Sequence, residues 1–534
     1  MKIVIPEKVS ARGVEELKKE PGWKVVQLTP DSVKTGDLAR ELADADALIV
    51  RSAVKVTPGM MAAAPKLRVI GRAGIGVDNV DLDAATKQGI VVMNTPGGNA
   101  VSVAELTLGF MIAMARELSR ADVTTRAGKW EKKSLEGAEL KGKTLGILGL
   151  GRIGLEVARR ARAFEMDLVA YDPFVATVAA KEAGVKLLSL DEVLAQSDYL
   201  SLHLALTSET HGLLNAELLA KSKQGVRIVN CARGELVDEA ALFAALQSGQ
   251  VGGAALDVFQ KEPPGESPLF ALPNVMATPH IAGSTKEAQE RVGHRIAVQV
   301  KEYLAHGIIQ NAVNVPSVGY EEYRELQPWL NLGDKLGSLL AQLSVGQARE
   351  LSLRYGGELG DLNTSLLRNA VIAGLVNHVV DEKANLVNAQ TIAQRRGIAV
   401  HEGRGQSTRG LARSLSVLLK TDKGELLLQG AVYGNEPRLV GLDSIDIEAP
   451  LTEHLLILRN DDVPGVIGHV GTVLGERGIN IASFSLGRQA KTAVTAGMPL
   501  RAIALVSVDG PVPVEALAPL QDHRGIHSVR AVQL

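Results

Sequence analysis

Short apolar runs alternate with helical periodicity through the first hundred residues. Ile3 to Ile5, Lys24 to Leu28, Ala47 to Val50, Leu67 to Ile70 and Val91 to Met93 read as buried strands, with helices near Gly13 to Lys19 and Asp37 to Leu42 between them. That order predicts a small parallel α/β sheet, and ligands on such sheets gather beyond the strand C-termini. Asn94-Thr95-Pro96-Gly97-Gly98-Asn99 then breaks the pattern before a long helix through Glu105, Leu108, Met111, Ile112 and Ala115, and reads as an interdomain hinge. A second alternation follows, with strands at Thr144 to Leu148, Leu168 to Tyr171, Tyr199 to Leu202, Arg227 to Val229, Gly253 to Val258 and Val275 to Thr278. The helical stretch from Thr285 to about His306 is expected to return to the first sheet.

From about Val318 the pattern changes. Helices are expected over Leu362 to Val379 and Ala389 to Arg396, then strands through Leu415 to Leu419, Glu425 to Tyr433 and Leu439 to Val440, with Asp422-Lys423-Gly424 as a hairpin turn. Glu453 to Leu534 reads as βαββαβ, the order of a ferredoxin-like fold. The predicted architecture is α/β: two Rossmann/flavodoxin-like parallel-sheet domains, then an α+β domain and a ferredoxin-like domain. The corresponding segments are 1–95 with 285–315, 96–284, 318–450 and 453–534.

Composition narrows the classes. In 534 residues a net charge of −2 gives no global field for nucleic acid, and no apolar run approaches the ~20 residues of a membrane span. The start MKIVIPEKV enters a strand without a basic or apolar leader, which with the single cysteine, Cys231, gives a cytoplasmic expectation. Cys231 is expected to be a packed residue rather than a nucleophile, and no metal is invoked.

Candidate chemistry begins at Gly149-Leu150-Gly151-Arg152-Ile153-Gly154, which stands between a strand and a helix. Such glycines serve a tight turn, backbone approach to a pyrophosphate and close helix packing. Asp172 ends the next strand, where a carboxylate accepts from ribose hydroxyls and repels a 2′-phosphate, so NAD is expected over NADP. In the first sheet, Arg51 and Arg72 with the neighbouring glycine amides suit an anionic substrate. Asn230-Cys231-Ala232-Arg233-Gly234, Asp257 to Glu262 and Thr278-Pro279-His280 all end strands of one sheet, so Arg233, Glu262 and His280 can meet. Together they suit hydride transfer from a C–OH carbon: His280 as acid/base, Glu262 as its partner and Arg233 as carboxylate grip. Singly, an ion-paired arginine, a solvated glutamate and a helix-capping histidine account for them equally well.

GLGRIG, NCARGELVDE, GAALDVFQKEPP and TPHIAGSTKEA, in this order, closely resemble the D-2-hydroxyacid dehydrogenases. RSAVKVT, RAGIGVDNVD and GKWEKKSLEGAELKGKTLGILGLGRIG narrow the resemblance to the D-3-phosphoglycerate dehydrogenase family, over Met1 to about Pro316. The resemblance implies NAD-dependent oxidation of 3-phosphoglycerate to 3-phosphohydroxypyruvate, at the start of serine synthesis, with 2-oxoglutarate as a candidate side substrate. It assigns Arg233 to the substrate carboxylate, His280 to acid/base work and Glu262 as its partner. Gly149, Gly151, Arg152, Ile153 and Gly154 fall to the pyrophosphate, Asp172 to the ribose, and Cys231, Ala232 and Asp257 to the nicotinamide end. Arg51, Arg72, Gly74 and Asn99 would hold substrate, and Lys132 would reach the phosphate across a dimer interface. Ile75, His203-Leu204-Ala205 and HIAGST depart from the common family pattern in cofactor-facing loops.

The segment after Val318 resembles the intervening domain of long family members, associated with allosteric control or assembly. For its basic residues Arg395, Arg396, Arg404 and Arg409 a solvated face is the expectation. Asn460-Asp461-Asp462-Val463-Pro464-Gly465 with Gly478-Ile479-Asn480-Ile481 resembles an ACT regulatory domain. In relatives inhibited by serine, positions matching Asn460, Asp462 and Asn480 hold the amino acid across an ACT dimer, which implies a homo-oligomer with L-serine as effector. Two other readings stay open: a general D-2-hydroxyacid dehydrogenase acting on hydroxypyruvate or glyoxylate, and a non-catalytic NAD-sensing corepressor or scaffold.

Overall fold

A computed structural model describes residues 1–34, 36–316, 318, 320–378, 383–407, 410–490 and 500–534. Strands Lys2–Ile5, Lys24–Gln27, Ala47–Val50, Val69–Arg72 and Val91–Met93 form one parallel sheet in the spatial order second, first, third, fourth, fifth. The first, third and fifth of these are buried along their whole length, as runs covered on both faces must be. The order reverses between the first and third strands, whose carboxyl ends lead to Glu7 and Arg51.

Helix Lys286–His306 covers this sheet although it is distant in sequence. Thr285 caps its start by accepting from the Ala288 amide at 3.2 Å, and Gly307 ends it at φ 72°. It lies so close to helix Ala11–Lys18 that a Cβ on Gly13 would sit 2.6 Å from the Gly293 carbonyl oxygen. One domain is thus closed by two remote pieces of chain.

Seven parallel strands make the second sheet: Thr144–Leu148, Asp167–Tyr171, Lys186–Leu187, Tyr199–Leu202, Val226–Asn230, Val251–Leu256 and Val275–Ala277. Their spatial order is third, second, first, fourth, fifth, sixth, seventh, which is the doubly wound dinucleotide order with one added edge strand. Two crossings join the halves. In the first, Thr95 donates twice to the Gly74 carbonyl, through its amide at 2.8 Å and its hydroxyl at 3.1 Å. Arg295 and Arg291 donate to the carbonyls of Pro96 and Gly98, each at 3.1 Å. Ser102 and Thr285 link the crossings through their hydroxyls at 2.7 Å.

The remaining chain departs from expectation in one large element. Helix Tyr320–Leu343, where the sequence pattern assigned no element, contains Pro328, Gly333 and Gly337, residue types that ordinarily interrupt helices. The glycines instead permit close contact with helix Thr364–Asn377: a Cβ on Gly337 would stand 2.0 Å from the Val371 carbonyl oxygen, and one on Gly374 2.0 Å from that of Asp334. Strands Ala348–Gly357, Ala399–Gly405 and Ile445–Pro450 were also hidden in the sequence. With Arg413–Thr421, Gly424–Tyr433 and Glu436–Leu442 they join the four strands of the last domain in one ten-stranded sheet, and the join is the pair Asp446 and Arg488.

A contiguous hydrophobic core runs from Ile3, Val91 and Val300 through Trp329, Leu336 and Leu367 to Leu455, Leu505 and Val532. Asn385 adds a polar tie, donating to the Gly89 carbonyl of the first domain at 2.8 Å. The seven-stranded domain has its own two cores. Among the described residues no helix is long and apolar enough to cross a membrane. The predicted helix end at Val379 and the basic residue Arg409 lie outside the described residues.

Candidate functional site

Each glycine of the dinucleotide turn has a distinct structural reason. Gly149 takes φ 93°, which an L side chain rarely adopts. Gly151 has open space where a side chain would stand, leaving the mouth of the turn clear for a phosphate. Gly154 packs the helix onto the strand end, and a Cβ there would fall 2.2 Å from the Gly149 carbonyl oxygen. Helix Arg152–Ala163 starts here, directing its unsatisfied amides at the clear mouth. Ile153 packs against the neighbouring core, and the Arg152 stem lies over Gly97 of the hinge. The residues fit a dinucleotide pyrophosphate. Asp172 braces the turn: its Oδ2 accepts from the Leu150 amide at 2.8 Å and its Oδ1 from the Phe174 amide at 2.8 Å. Its unused lone pairs remain for ribose hydroxyls.

The His280 loop is held by a buried carboxylate. Asp257 is 0% exposed, its Oδ1 accepting from the Thr278 hydroxyl at 2.5 Å and the Ile281 amide at 2.8 Å, and its Oδ2 from the Ala282 amide at 2.8 Å. Asp257, expected at the nicotinamide, thus uses its carboxylate to shape the loop. His280 stands in that loop at φ 53°, a costly backbone for a non-glycine residue, and its amide is fixed by the carbonyls of Asp257 and Thr278. Its Nδ1 meets Glu262 Oε2 at 2.7 Å, which leaves Nε2 for a ligand. The Phe259 amide donates to the other Glu262 oxygen at 3.2 Å.

Across the crevice, Arg51, Arg72, Gly74 and Asn99 share a cavity of about 300 Å³ with Glu262 and His280. Desolvation pushes Arg72 below the ordinary arginine range; Arg233 and Arg51 add to the push, and Asp78 and Glu7 oppose it. Its Nε has no partner, nor has the Asn99 Oδ1, so two buried polar atoms await a ligand. Gly74 acts by lacking a side chain rather than as an anion donor, because its amide already donates to the Arg72 carbonyl at 2.9 Å. A Cβ there would strike the Arg72 guanidinium. Sequence reasoning missed Glu7, whose carboxylate accepts from the amides of Arg51 at 2.7 Å, Ala53 at 3.0 Å and Val54 at 3.4 Å, and so builds the Arg51 loop. Its place just after the first strand was the available signal.

Arg233 reaches the first domain, with one nitrogen 3.1 Å from Asp78 and another donating to the Ala232 carbonyl at 2.7 Å. Ala232 and Cys231 are buried, and burial pushes the Cys231 thiol up to about 12, as for a packed rather than reactive residue. Lys132 does not line the cavity; it lies in the short turn Lys132–Ser134, exposed.

The three effector candidates are not gathered within one chain. Asn460 is next to last in strand His454–Asp461, opposite Ala502, and Asp462 follows the strand, paired to Arg488 at 3.3 Å. Asn480 precedes strand Ile481–Arg488, whose first residue pairs with Val508, and it donates to Asp509 at 2.6 Å. It therefore lies at the other end of strand Arg501–Val508, roughly 20 Å away at ~3.3 Å per residue. The buried Asn460 Oδ1 has no partner.

His203, beside the Gly149 turn, yields a pH prediction. Only Ser201 meets its Nε2, at 2.8 Å, Nδ1 has no partner, and burial lowers it from 6.5 to about 3. Below pH ~6.5 the unfolded chain takes a proton that the folded chain refuses, so stability is full above that pH and falls as pH drops toward 3, by up to ~1.4 kcal/mol per unit. Thermal melts at pH 7.5 and 5 are expected to differ less in His203→Gln than in the parent. Equal differences would assign the acid sensitivity elsewhere.

Comparison with known proteins shows the family of the chain. A family model described as D-isomer specific 2-hydroxyacid dehydrogenase, NAD binding domain, matches residues 108–282. A D-3-phosphoglycerate dehydrogenase intervening domain matches 325–443, and an ACT domain matches 454–523. The chain is 40% identical to D-3-phosphoglycerate dehydrogenase of Archaeoglobus fulgidus over 100% of both chains. It is 39% identical to the Bacillus subtilis enzyme of that name over 92% of this chain and 93% of the other. It is also similar to the solved D-lactate dehydrogenase of Aquifex aeolicus complexed with NAD and lactic acid, with TM-score 0.51 and 31% identity over 59% of this chain and 100% of that one.

Proposed function

From the premise that this chain belongs to the D-3-phosphoglycerate dehydrogenase family and is an NAD-dependent oxidoreductase, we propose that its cleft oxidises 3-phospho-D-glycerate at C2, giving 3-phosphohydroxypyruvate for L-serine synthesis. The observation that carries this reading is the single cavity in which Arg51 and Arg72 face His280. A substrate with an anion at each end reaches from this cavity to Arg233 beside it: the phosphate meets Arg51 and Arg72, and the carboxylate takes the planar fork of Arg233. His280 Nε2 then receives the C2 hydroxyl proton, and Glu262 stabilises the imidazolium that results. Bound NAD supplies the hydride acceptor. Arg233 beside the forming carbonyl stabilises the charge that develops on its oxygen.

The same arginines suit 2-oxoglutarate, whose distal carboxylate stands in for the phosphate. For assembly, helix Leu118–Arg126 buries no residue, and Leu118, Val123 and Trp130 leave apolar surface at the solvent, Trp130 being 83% exposed. A second copy packed there supports the reading of a homo-oligomer in which Lys132 serves a neighbouring cleft. A second copy is also what brings Asn480 to Asn460 and Asp462, where the unpartnered Asn460 oxygen suits the ammonium of L-serine. With one buried cysteine, the enzyme fits the reducing cytoplasm.

The test follows NADH absorbance with 3-phosphohydroxypyruvate, hydroxypyruvate and 2-oxoglutarate, each with and without L-serine. At least ~10-fold higher kcat/KM for the phosphorylated substrate is expected from its extra arginine contacts. Equal use of all three would make this a general 2-hydroxyacid dehydrogenase, and an unchanged rate with serine would remove the effector assignment.

A further inference from the structure

We propose that Asp78 is a built-in competitor of the substrate, its carboxylate occupying, in the empty cleft, the Arg233 fork that the substrate carboxylate takes on binding. The proposal rests on the function argued above and concerns how the same site selects its ligand.

Arg233 comes from the cofactor-binding half and Asp78 from the loop after strand Val69–Arg72 of the other half, yet they meet at 3.1 Å. The backbone leaves room for the meeting. Gly76 lies beneath both groups, and a Cβ on it would fall 2.1 Å from an Arg233 nitrogen and 2.7 Å from Asp78 Oδ2. Three guanidinium groups, Arg51, Arg72 and Arg233, thereby face two carboxylates, Glu7 and Asp78. The carboxylates differ in how they are held. Glu7 is fixed by three backbone amides and stays with the Arg51 loop. Asp78 is 69% exposed, and among the described residues its side chain has no other polar partner, so it is free to swing into water.

Without ligand, Asp78 partly neutralises the cluster and keeps like charges from forcing Arg233 away. A substrate carboxylate offers Arg233 two oxygens in its plane and displaces the single Asp78 contact. Because a ligand must replace an internal anion, a weak anion that cannot also engage Arg51 and Arg72 gains little from Arg233. Asp78 is therefore a specificity device and takes no part in the chemical step.

The probe is oxamate, a carboxylate without a phosphate that accepts no hydride, titrated into the enzyme–NADH complex by NADH fluorescence. Asp78→Asn is expected to bind oxamate about threefold more tightly, the scale of one half-exposed ion pair. NADH affinity should be unchanged, and Asp78→Glu should behave as the parent. Oxamate binding that is equal or weaker in Asp78→Asn, or absent from both proteins, overturns the proposal. The titration needs no turnover, so failure of the parent to oxidise 3-phosphoglycerate would refute the proposed reaction without bearing on the role of Asp78.

Discussion

His280→Ala is expected to lower turnover by ~100-fold or more while leaving NADH affinity nearly unchanged. The size follows from how completely the ring is prepared. Its backbone is locked at φ 53° by two carbonyls, its Nδ1 is held by Glu262 at 2.7 Å, and the residue lines the cavity that Arg51 and Arg72 also line. Among the described residues no other histidine lines that cavity. The cofactor turn at 149–154 is braced by Asp172 and its own glycines, so removing the ring leaves it intact. Steady-state rates with 3-phosphohydroxypyruvate, set beside a fluorescence titration of NADH, check both halves of the claim. Glu262→Gln should give a smaller loss, because it keeps a hydrogen-bond acceptor for Nδ1 while removing the charge that favours imidazolium. Undiminished turnover in His280→Ala would move the acid/base role elsewhere.

Arg233→Ala should be comparably severe but distributed differently, with kcat/KM falling by ~100- to 1000-fold. Part of this loss is binding, since the carboxylate loses its planar partner. The rest is in kcat, since the same guanidinium stabilises charge on the C2 oxygen. Arg233→Lys should recover only a fraction, because an ammonium restores charge without the parallel hydrogen bonds. A rise in KM with kcat intact would confine Arg233 to uniform binding.

Sequence and structure agree where chemistry and local geometry demand the same residue. The glycine turn was readable because Gly149 and Gly154 each meet a backbone need that a side chain would violate, while Gly151 leaves the mouth of the turn open. The Glu262–His280 pair could be anticipated because strand ends of one parallel sheet share a crevice, and the structure joins them at 2.7 Å. What stayed hidden were contacts made by ordinary residues over long sequence separations. Glu7 carries no motif, and its work for Arg51 exists only once two strands lie side by side. Asp257 was expected at the nicotinamide, and its further work, holding the loop that presents His280, exists only once that loop is folded against it. Helix Tyr320–Leu343 was obscured for the opposite reason: Gly333 and Gly337 signal a break locally and serve a helix crossing globally.

The unbroken core that links Ile3, Trp329, Leu367 and Val532 has a mechanical consequence. Bending within it would open packed apolar surface to water, so compliance collects in the paired crossings at 94–99 and 283–285, where polar ties dominate. Four segments of chain thus behave as a frame and a door. The cofactor half is the door, and the frame extends from the anion-binding loops to the far strand of the ten-stranded sheet. Arg51 and Arg72 are mounted on the frame, Arg233 and His280 on the door.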